Sequence, residues 1–276
     1  MWTDLERPPL NANALRAALV APAGPWAALE VVDTTGSTNA DLLAAARADG
    51  IDRTVLVAEH QHAGRGRHAR EWSSPPRAGL WFSVLLRPAG VPLDVLGWLP
   101  LLTGLAVAEA VQRVAEVEVT LKWPNDVLID GRKLGGILAE VAGTSPEPAV
   151  VVGLGLNVSL RAEELPVPTA TSLALAAASC TDRDPILRAV LRVLADREAR
   201  WRSLRGDPVR SELAADYRAR CSTLGQEVEV ALPRGTVLRG EAVGVDDQGR
   251  LVVRETSGAE QAVSAGDVTH VRSARR

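Results

Sequence analysis

Two lysines stand in a chain that otherwise carries its positive charge on arginine. Of 31 basic residues, only Lys122 and Lys133 are lysine. The two cations are interchangeable on a solvated face but differ where a compact ammonium on a flexible stem is needed. These positions therefore invite a chemical role, with chance placement as the alternative. Lys122-Trp-Pro-Asn-Asp126 offers an ammonium, an amide and a carboxylate within five residues. That set suits a nucleotide and its magnesium, which takes one or two carboxylates and otherwise stays with the phosphates. Lys133-Leu-Gly-Gly-Ile137 lacks side chains at Gly135 and Gly136 in what should be a strand interior, often a sign of close approach by a ligand or backbone. An ordinary polar hairpin is the alternative.

Ala63-Gly-Arg-Gly-Arg-His-Ala-Arg70 alternates glycine with arginine and has no acid before Glu71. Glycine lets the backbone approach a ligand, and guanidinium groups grip carboxylate or phosphate through paired hydrogen bonds. The string also suits an RNA-binding run or a solvated loop. His60, His62 and His68 accompany it, but no acidic or thiolate partner stands at ligand spacing, which argues against zinc. Gly153-Leu-Gly-Leu-Asn-Val158 begins like a dinucleotide fingerprint, yet Val158 replaces the third glycine and no helical pattern follows. Trp72, Trp81, Trp98 and the other tryptophans read as core or lid packing rather than a base-stacking platform.

These segments need a scaffold. Gly36-Ser-Thr-Asn39 supplies N-cap residues for a helix at 40–48, directly after a strand at 30–33. Strands are expected at 54–58, 80–86, 117–123, 127–129, 134–141 and 149–154. Asp130-Gly131 is the two-residue turn that sets the two lysine motifs side by side. The apolar stretch 96–114 predicts a buried helix, and further helices are expected at 11–20, 186–204 and 209–220. Strands gather before residue 158 and helices follow, which favours an α+β fold, a mixed sheet covered by helices. After Cys221, short β segments at 227–232, 237–245, 251–255 and 261–263 are separated by turn residues and predict a small barrel. The expected domains are 1–221 and 222–276.

With 276 residues, 46% hydrophobic and 24% charged, the chain should fold around a sizeable core, and disorder is excluded. A net charge of -3 leaves no global basic footprint for nucleic acid. Two cysteines, Cys180 and Cys221, cannot build a disulfide framework and suit a reducing cytosol. No leader and no long apolar run appears, so a cytoplasmic protein without a membrane partner is expected.

Taken in order, Gly36-Ser-Thr-Asn39, Ala58-Glu-His-Gln-His-Ala-Gly-Arg-Gly-Arg67, Trp72, Lys122-Trp-Pro-Asn-Asp126, Lys133-Leu-Gly-Gly-Ile137 and Gly153-Leu-Gly-Leu-Asn157 closely resemble the bacterial biotin protein ligases. The tail resembles their SH3-like C-terminal domain. The resemblance implies a class II tRNA-synthetase-like catalytic domain. It implies that biotin and ATP form biotinyl-5'-AMP, and that a lysine on a biotin carboxyl carrier domain of an acyl-CoA carboxylase then takes the biotinyl group. It places Ser37, Thr38, Asn39 and Gln61 along the biotin rings and closes Gly64, Arg65, Gly66 and Arg67 over biotin and adenylate. Lys133 would meet the biotin carboxylate and the α-phosphate, with Gly135, Gly136 and Gly153 leaving room. Arg67, Arg70, Trp72, Asn125, Asp126 and Asn157 would serve the nucleotide, and Lys122 joins Lys133 and Arg67 in the catalytic set. Magnesium would travel with ATP near Asp126 without a protein cage.

The first 29 residues hold one short helix, too little for the DNA-binding domain of repressor-type members, so no specific DNA partner is expected. A monomer or weak homodimer is expected. Residues 62–72, with glycines, repelling arginines and no apolar anchor, should be mobile until an anion binds. The rival functions are a lipoate or octanoate ligase, whose Gly-rich arginine motif is not visible, and a nucleic-acid or ligand-binding module.

Overall fold

The structure, a computed structural model, describes residues 7–143, 147–232, 236–264 and 267–270. In chain order its first strands are β1 (Ala28–Val32), β2 (Thr54–Ala58), the short pair β3 (Gly64–Arg65) and β4 (Glu71–Trp72), β5 (Gly79–Leu86), β6 (Thr120–Lys122), β7 (Asp126–Ile129), β8 (Arg132–Gly143) and β9 (Ala149–Asn157). Seven of them form one sheet in the order β1-β2-β5-β9-β8-β7-β6. The β1–β2 pair is parallel and the other pairs are antiparallel, so the sheet is mixed. The helices are α1 (Ala12–Leu19), α2 (Thr38–Arg47), α3 (Trp98–Ala115), α4 (Arg183–Ser203) and α5 (Leu213–Arg220).

Side-chain alternation assigns the two faces. Val55, Val57, Val84, Leu86, Val150 and Val152 pack into the large core with α3 and α4. Leu56, Leu85 and Val151 point the other way and meet Leu42, Leu43 and Ala46 of α2. Strand register then lines up two rows on the α2 side. One runs Leu56, Ser83, Gly153, Leu138; the next runs Trp81, Gly155, Gly136, Asp126, Lys122. Three glycines in adjacent positions leave a trough in the sheet surface beside the start of α2.

Local chemistry accounts for several boundaries. Ser37 is the N-cap of α2, whose side chain accepts from Ala40 N–H, so the helix begins two residues before the expected start. Asp130 and Gly131 take the left-handed φ values of 49° and 72° that a tight hairpin turn requires. The strand expected at 117–123 shrinks to three residues. The helix expected from 209 starts at Leu213, because Asp207 accepts from the Val209 and Arg210 amides and holds a turn there.

The C-terminal strands β10 (Glu227–Ala231), β11 (Val237–Val245), β12 (Leu251–Arg254), β13 (Glu260–Val263) and β14 (Asp267–His270) form an antiparallel sheet in the order β13-β12-β11-β10-β14. The last of these has no counterpart in the expectations from sequence. Val228, Val230, Ala242, Leu251 and Val253 are buried in a core continuous with that of the main sheet. Two indoles fasten the β11–β12 turn: Trp98 Nε1 donates to Asp247 O (2.9 Å) and Trp123 Nε1 to Gly249 O (3.0 Å). A Cβ on Gly249 would lie 2.9 Å from the Gly97 carbonyl carbon, so this contact admits only glycine. Trp26, Trp81, Trp98, Trp123 and Trp201 are all buried, in line with their expected packing role. Residues 1–6 and 271–276, the outer ends of the expected domains, lie outside the described residues.

Candidate active site

A cavity of about 510 Å³ occupies the glycine trough. Its walls are the start of α2, the β3–β4 hairpin, segment 166–170 and, from the C-terminal sheet, Val268 and Thr269. Its inner end, the head, is polar and closed. Thr38 N–H donates to Gln61 Oε1 (2.8 Å), and Thr38 Oγ1 lies 2.7 Å from Ser83 Oγ. Ser83 donates to Asn39 Oδ1 (2.6 Å), while Asn39 Nδ2 donates to Leu138 O (3.1 Å) and Glu140 Oε2 (2.8 Å). Ser37, Thr38, Asn39 and Ser83 are all buried. Gly153 makes this possible, since a Cβ there would sit 2.0 Å from Asn39 Oδ1.

The mouth carries charge. Five cations (Arg65, Arg67, Arg70, Lys122, Lys133) and two carboxylates (Glu71, Asp126) line the cavity. A β-bulge delivers Lys133: Val127 pairs with Gly135 but Leu128 pairs with Lys133, so Leu134 is the extra residue. That extra residue turns Lys133 onto the face that carries Asp126 and Gly136, while Leu134 drops into the core. Lys133 Nζ lies 2.6 Å from Asp126 Oδ1 and 5.6 Å from the Trp72 ring centroid. Asn125 is held by Nδ2 donating to Ile137 O (3.0 Å), and its Oδ1 accepts from Arg67 Nη1 (3.2 Å). Trp72 packs edge-on to Trp81 and fills the space over Gly155, where a Cβ would lie 2.7 Å from its ring. Behind the mouth, burial pushes the Tyr217 phenol well above its ordinary value, and Cys221 and Asp126 add to that. Tyr217 does not line the cavity and packs edge-on against Trp98 in the core.

The structure brings nearly all of the residues singled out from sequence to this cavity and refines why some are there. Ser37, Thr38, Asn39, Gln61, Arg65, Gly66, Arg67, Arg70, Trp72, Lys122, Asn125, Asp126, Lys133, Gly136, Gly153 and Asn157 line it. Gly64 and Gly135 do not. A Cβ on Gly64 would strike Trp72 O at 2.4 Å, and one on Gly135 would strike Gly155 O at 2.7 Å, so both make room for backbone rather than ligand. Asn157 anchors the wall, donating to Thr171 O (2.9 Å). Ser83, Glu140, Gly155, Pro166 and Val167 were not singled out. Only the glycine at 155 carried a signal, as the second half of a Gly-Leu-Gly repeat on one strand face. Among the described residues, no group of three or more His, Cys, Asp or Glu could hold a metal ion.

Chemically, the arrangement suits a ligand with a polar, neutral head group and an anionic tail. Fixed cations at the mouth would stabilise a step in which two anions meet. A profile of the biotin/lipoate A/B protein ligase family matches residues 31–157, and one of the biotin protein ligase C-terminal domain matches residues 223–271. The chain is 48% identical over 273 residues to the biotin--[acetyl-CoA-carboxylase] ligase of Mycobacterium tuberculosis, covering 98% of each chain. It is 32% identical over 239 residues to the Paracoccus denitrificans protein of the same name, covering 85% of this chain and 97% of that one. Among solved structures, a biotin protein ligase from Aquifex aeolicus in complex with biotin and ATP superposes with a TM-score of 0.73 at 30% identity, covering 90% of this chain and 100% of that one.

Proposed function

Since the chain belongs to the biotin protein ligase family, we propose that the cavity over the glycine trough serves both half-reactions of the activity that membership brings. The protein is an ATP-dependent biotin--[biotin carboxyl-carrier protein] ligase. It joins biotin to AMP and passes the biotinyl group to a lysine on the carrier domain of a biotin-dependent carboxylase. The observation that supports this placement is a closed polar head and a Lys133-centred cationic mouth in the same trough.

In the first step a biotin carboxylate oxygen attacks the α-phosphorus of ATP and pyrophosphate leaves. In the second the carrier lysine amine attacks the acyl carbon of the mixed anhydride and AMP leaves. Neither step asks for strong acid–base catalysis; both ask for positioning and fixed positive charge. Ser37, Thr38, Asn39 and Gln61 hold the ring end. Lys133 leaves Asp126 to bridge the biotin carboxylate and the α-phosphate, a task for a compact ammonium on a flexible stem. Arg67, Arg70, Trp72 and Asn125 hold the nucleotide, with Lys122 at the same end. Asp126, freed from Lys133, would be a carboxylate able to hold a magnesium ion carried by ATP, which would offset phosphate charge there. The hairpin bearing Arg65, Gly66 and Arg67 closes over the anhydride and keeps water out.

We also propose a monomer or weak homodimer acting in the cytoplasm, where ATP and the carrier protein meet, with the domain boundary between residues 221 and 222. A head of buried hydroxyls and amides suits a ureido ring and not an alkyl chain or dithiolane, which disfavours lipoate and octanoate. The test is release of pyrophosphate from ATP. Release should require biotin and should not be supported by lipoate or octanoate. Release independent of biotin would overturn the proposal.

A further inference from the structure

The hydrogens at the cavity head can be counted. Asn39 Nδ2 has two N–H groups and two acceptors, Leu138 O and Glu140 Oε2. A backbone carbonyl and a carboxylate only accept, so the Asn39 amide has one orientation, with Oδ1 toward Ser83. At 2.6 Å two lone pairs would repel, so Ser83 gives its one hydroxyl hydrogen to Asn39. Ser83 Oγ is then an acceptor toward Thr38 Oγ1 at 2.7 Å. Thr38 gives its hydrogen there rather than to Gln61 Oε1, which lies farther away at 3.1 Å and is already engaged by Thr38 N–H. That engagement also fixes the Gln61 amide, with Nε2 turned away from Thr38 toward Gly64 of the hairpin that covers the cavity Gln61 lines.

The relay thus runs one way, from Thr38 to Ser83 to Asn39 to Glu140 and Leu138. Ser83 is fully buried and Asn39 nearly so, so solvent does not reverse it. What faces the ligand is a lone pair on Thr38 Oγ1 beside N–H donors on Gln61. We infer that Ser83 and Glu140 are positioning residues for the acyl substrate: by fixing the direction of the relay they make the cavity head select a ring that donates N–H beside a carbonyl. A cyclic urea has that pattern. The inference rests on the ligase function proposed above and adds to it the residues that set the hydrogen-bond polarity of its substrate site.

Isothermal titration with biotin, and with biotin methylated on a ureido nitrogen, tests this. The unsubstituted protein should prefer biotin by about tenfold or more, the worth of a buried hydrogen bond lost without replacement. Ser83→Ala removes the acceptor that holds the Thr38 hydrogen, which is then shared between Gln61 Oε1 at 3.1 Å and the cavity, so the Thr38 lone pair is no longer held toward the ligand. Biotin affinity should then fall about tenfold or more and the preference over the methylated ligand should largely vanish. The ATP KM in pyrophosphate release should stay within about twofold, since the nucleotide end is untouched. Glu140→Leu removes one of the two acceptors that orient Asn39 and should narrow the preference less, while Glu140→Gln, which still offers an acceptor, should restore it. A preference retained in both Ser83→Ala and Glu140→Leu overturns the inference. So does an equal loss for both ligands accompanied by a lower Tm, which would mean packing alone. No saturable biotin binding by the unsubstituted protein would instead overturn the functional proposal, and the relay with it.

Discussion

At the head of the cavity, Thr38, Asn39 and Ser83 are buried and joined through short hydrogen bonds before any ligand arrives. At the mouth, Arg65 and Arg70 are exposed, and Lys133 is a third exposed and paired with Asp126. Both ends stand on the main sheet, but the head is completed by the buried start of α2, whereas the mouth is completed by the separate β3–β4 hairpin, whose strands are two residues each, and by long cationic side chains. The head can therefore recognise shape and hydrogen-bond polarity with little rearrangement. The mouth must exchange protein partners for substrate ones, since Lys133 already has Asp126 and Arg67 has Asn125. Recognition of the acyl substrate and stabilisation of charge should separate under mutation.

The largest effect is expected at Lys133. Lys133→Arg keeps the charge but puts a wide planar group where a compact one must leave Asp126. Turnover at saturating biotin should fall by a factor of about 100 to 1000, the usual loss for one misplaced electrostatic group. Biotin affinity should suffer much less. Arg47→Lys, on the exposed end of α2, should be silent. Turnover above about a third of wild type in Lys133→Arg would remove Lys133 from the centre of the mouth.

Gly153→Ala is the converse at the head. The new Cβ would sit 2.0 Å from Asn39 Oδ1 and 3.2 Å from Ser83 Oγ, so Asn39 must leave. Overpacking of this kind costs about 1–3 kcal/mol, and biotin Kd should rise about tenfold or more while the ATP KM holds. An unchanged biotin Kd would separate the relay from binding.

Two of the features that matter most could not be read from the sequence. Asp130-Gly131, the Ser37 cap and the two lysine motifs were legible because each acts within a few residues. The delivery of Lys133 was not, because it depends on Leu134 being left unpaired opposite β7, a matter of register between strands. Ser83 was hidden as one hydroxyl in the apolar strand Gly79–Leu86, and its meaning comes from α2 and β8, far away in sequence. Val268 and Thr269 reach the cavity on a strand that no pattern announced. The glycines were legible as places where room is needed, but the space over Gly153 and Gly155 is filled by Asn39 and Trp72, which then line the cavity themselves.

A smaller effect concerns the hairpin. Trypsin should cut after Arg65 or Arg67 in the free protein, and biotinyl-5'-AMP should slow cleavage severalfold by relieving repulsion among the arginines. Equal rates would mean that the mouth, like the head, is fixed before substrate binds.

The smallest effect lies under segment 166–170. Burial pushes the Glu164 carboxyl up, but hydrogen bonds from Arg7 and the Arg161 amide, with the charge of Arg7, more than offset it, so its value is lowered. A lowered folded value contributes stability above the unfolded value of about 4.3 and loses it as pH falls through the folded value. Thermal unfolding between about pH 6 and 3 should show this loss, and Arg7→Ala should abolish it. The difference should be under about 1 kcal/mol, and a loss of the same size in Arg7→Ala would assign it to other groups.

A crystal structure with biotinyl-5'-AMP tests the division between head and mouth most directly. The account predicts the ureido ring at the head, with a ring N–H donating to Thr38 Oγ1 and the carbonyl accepting from Gln61, and the phosphate within hydrogen-bonding distance of Lys133, whose contact with Asp126 is broken. A ring carbonyl facing Thr38 as acceptor of its hydroxyl, or a phosphate held by arginines while Lys133 stays on Asp126, would contradict it.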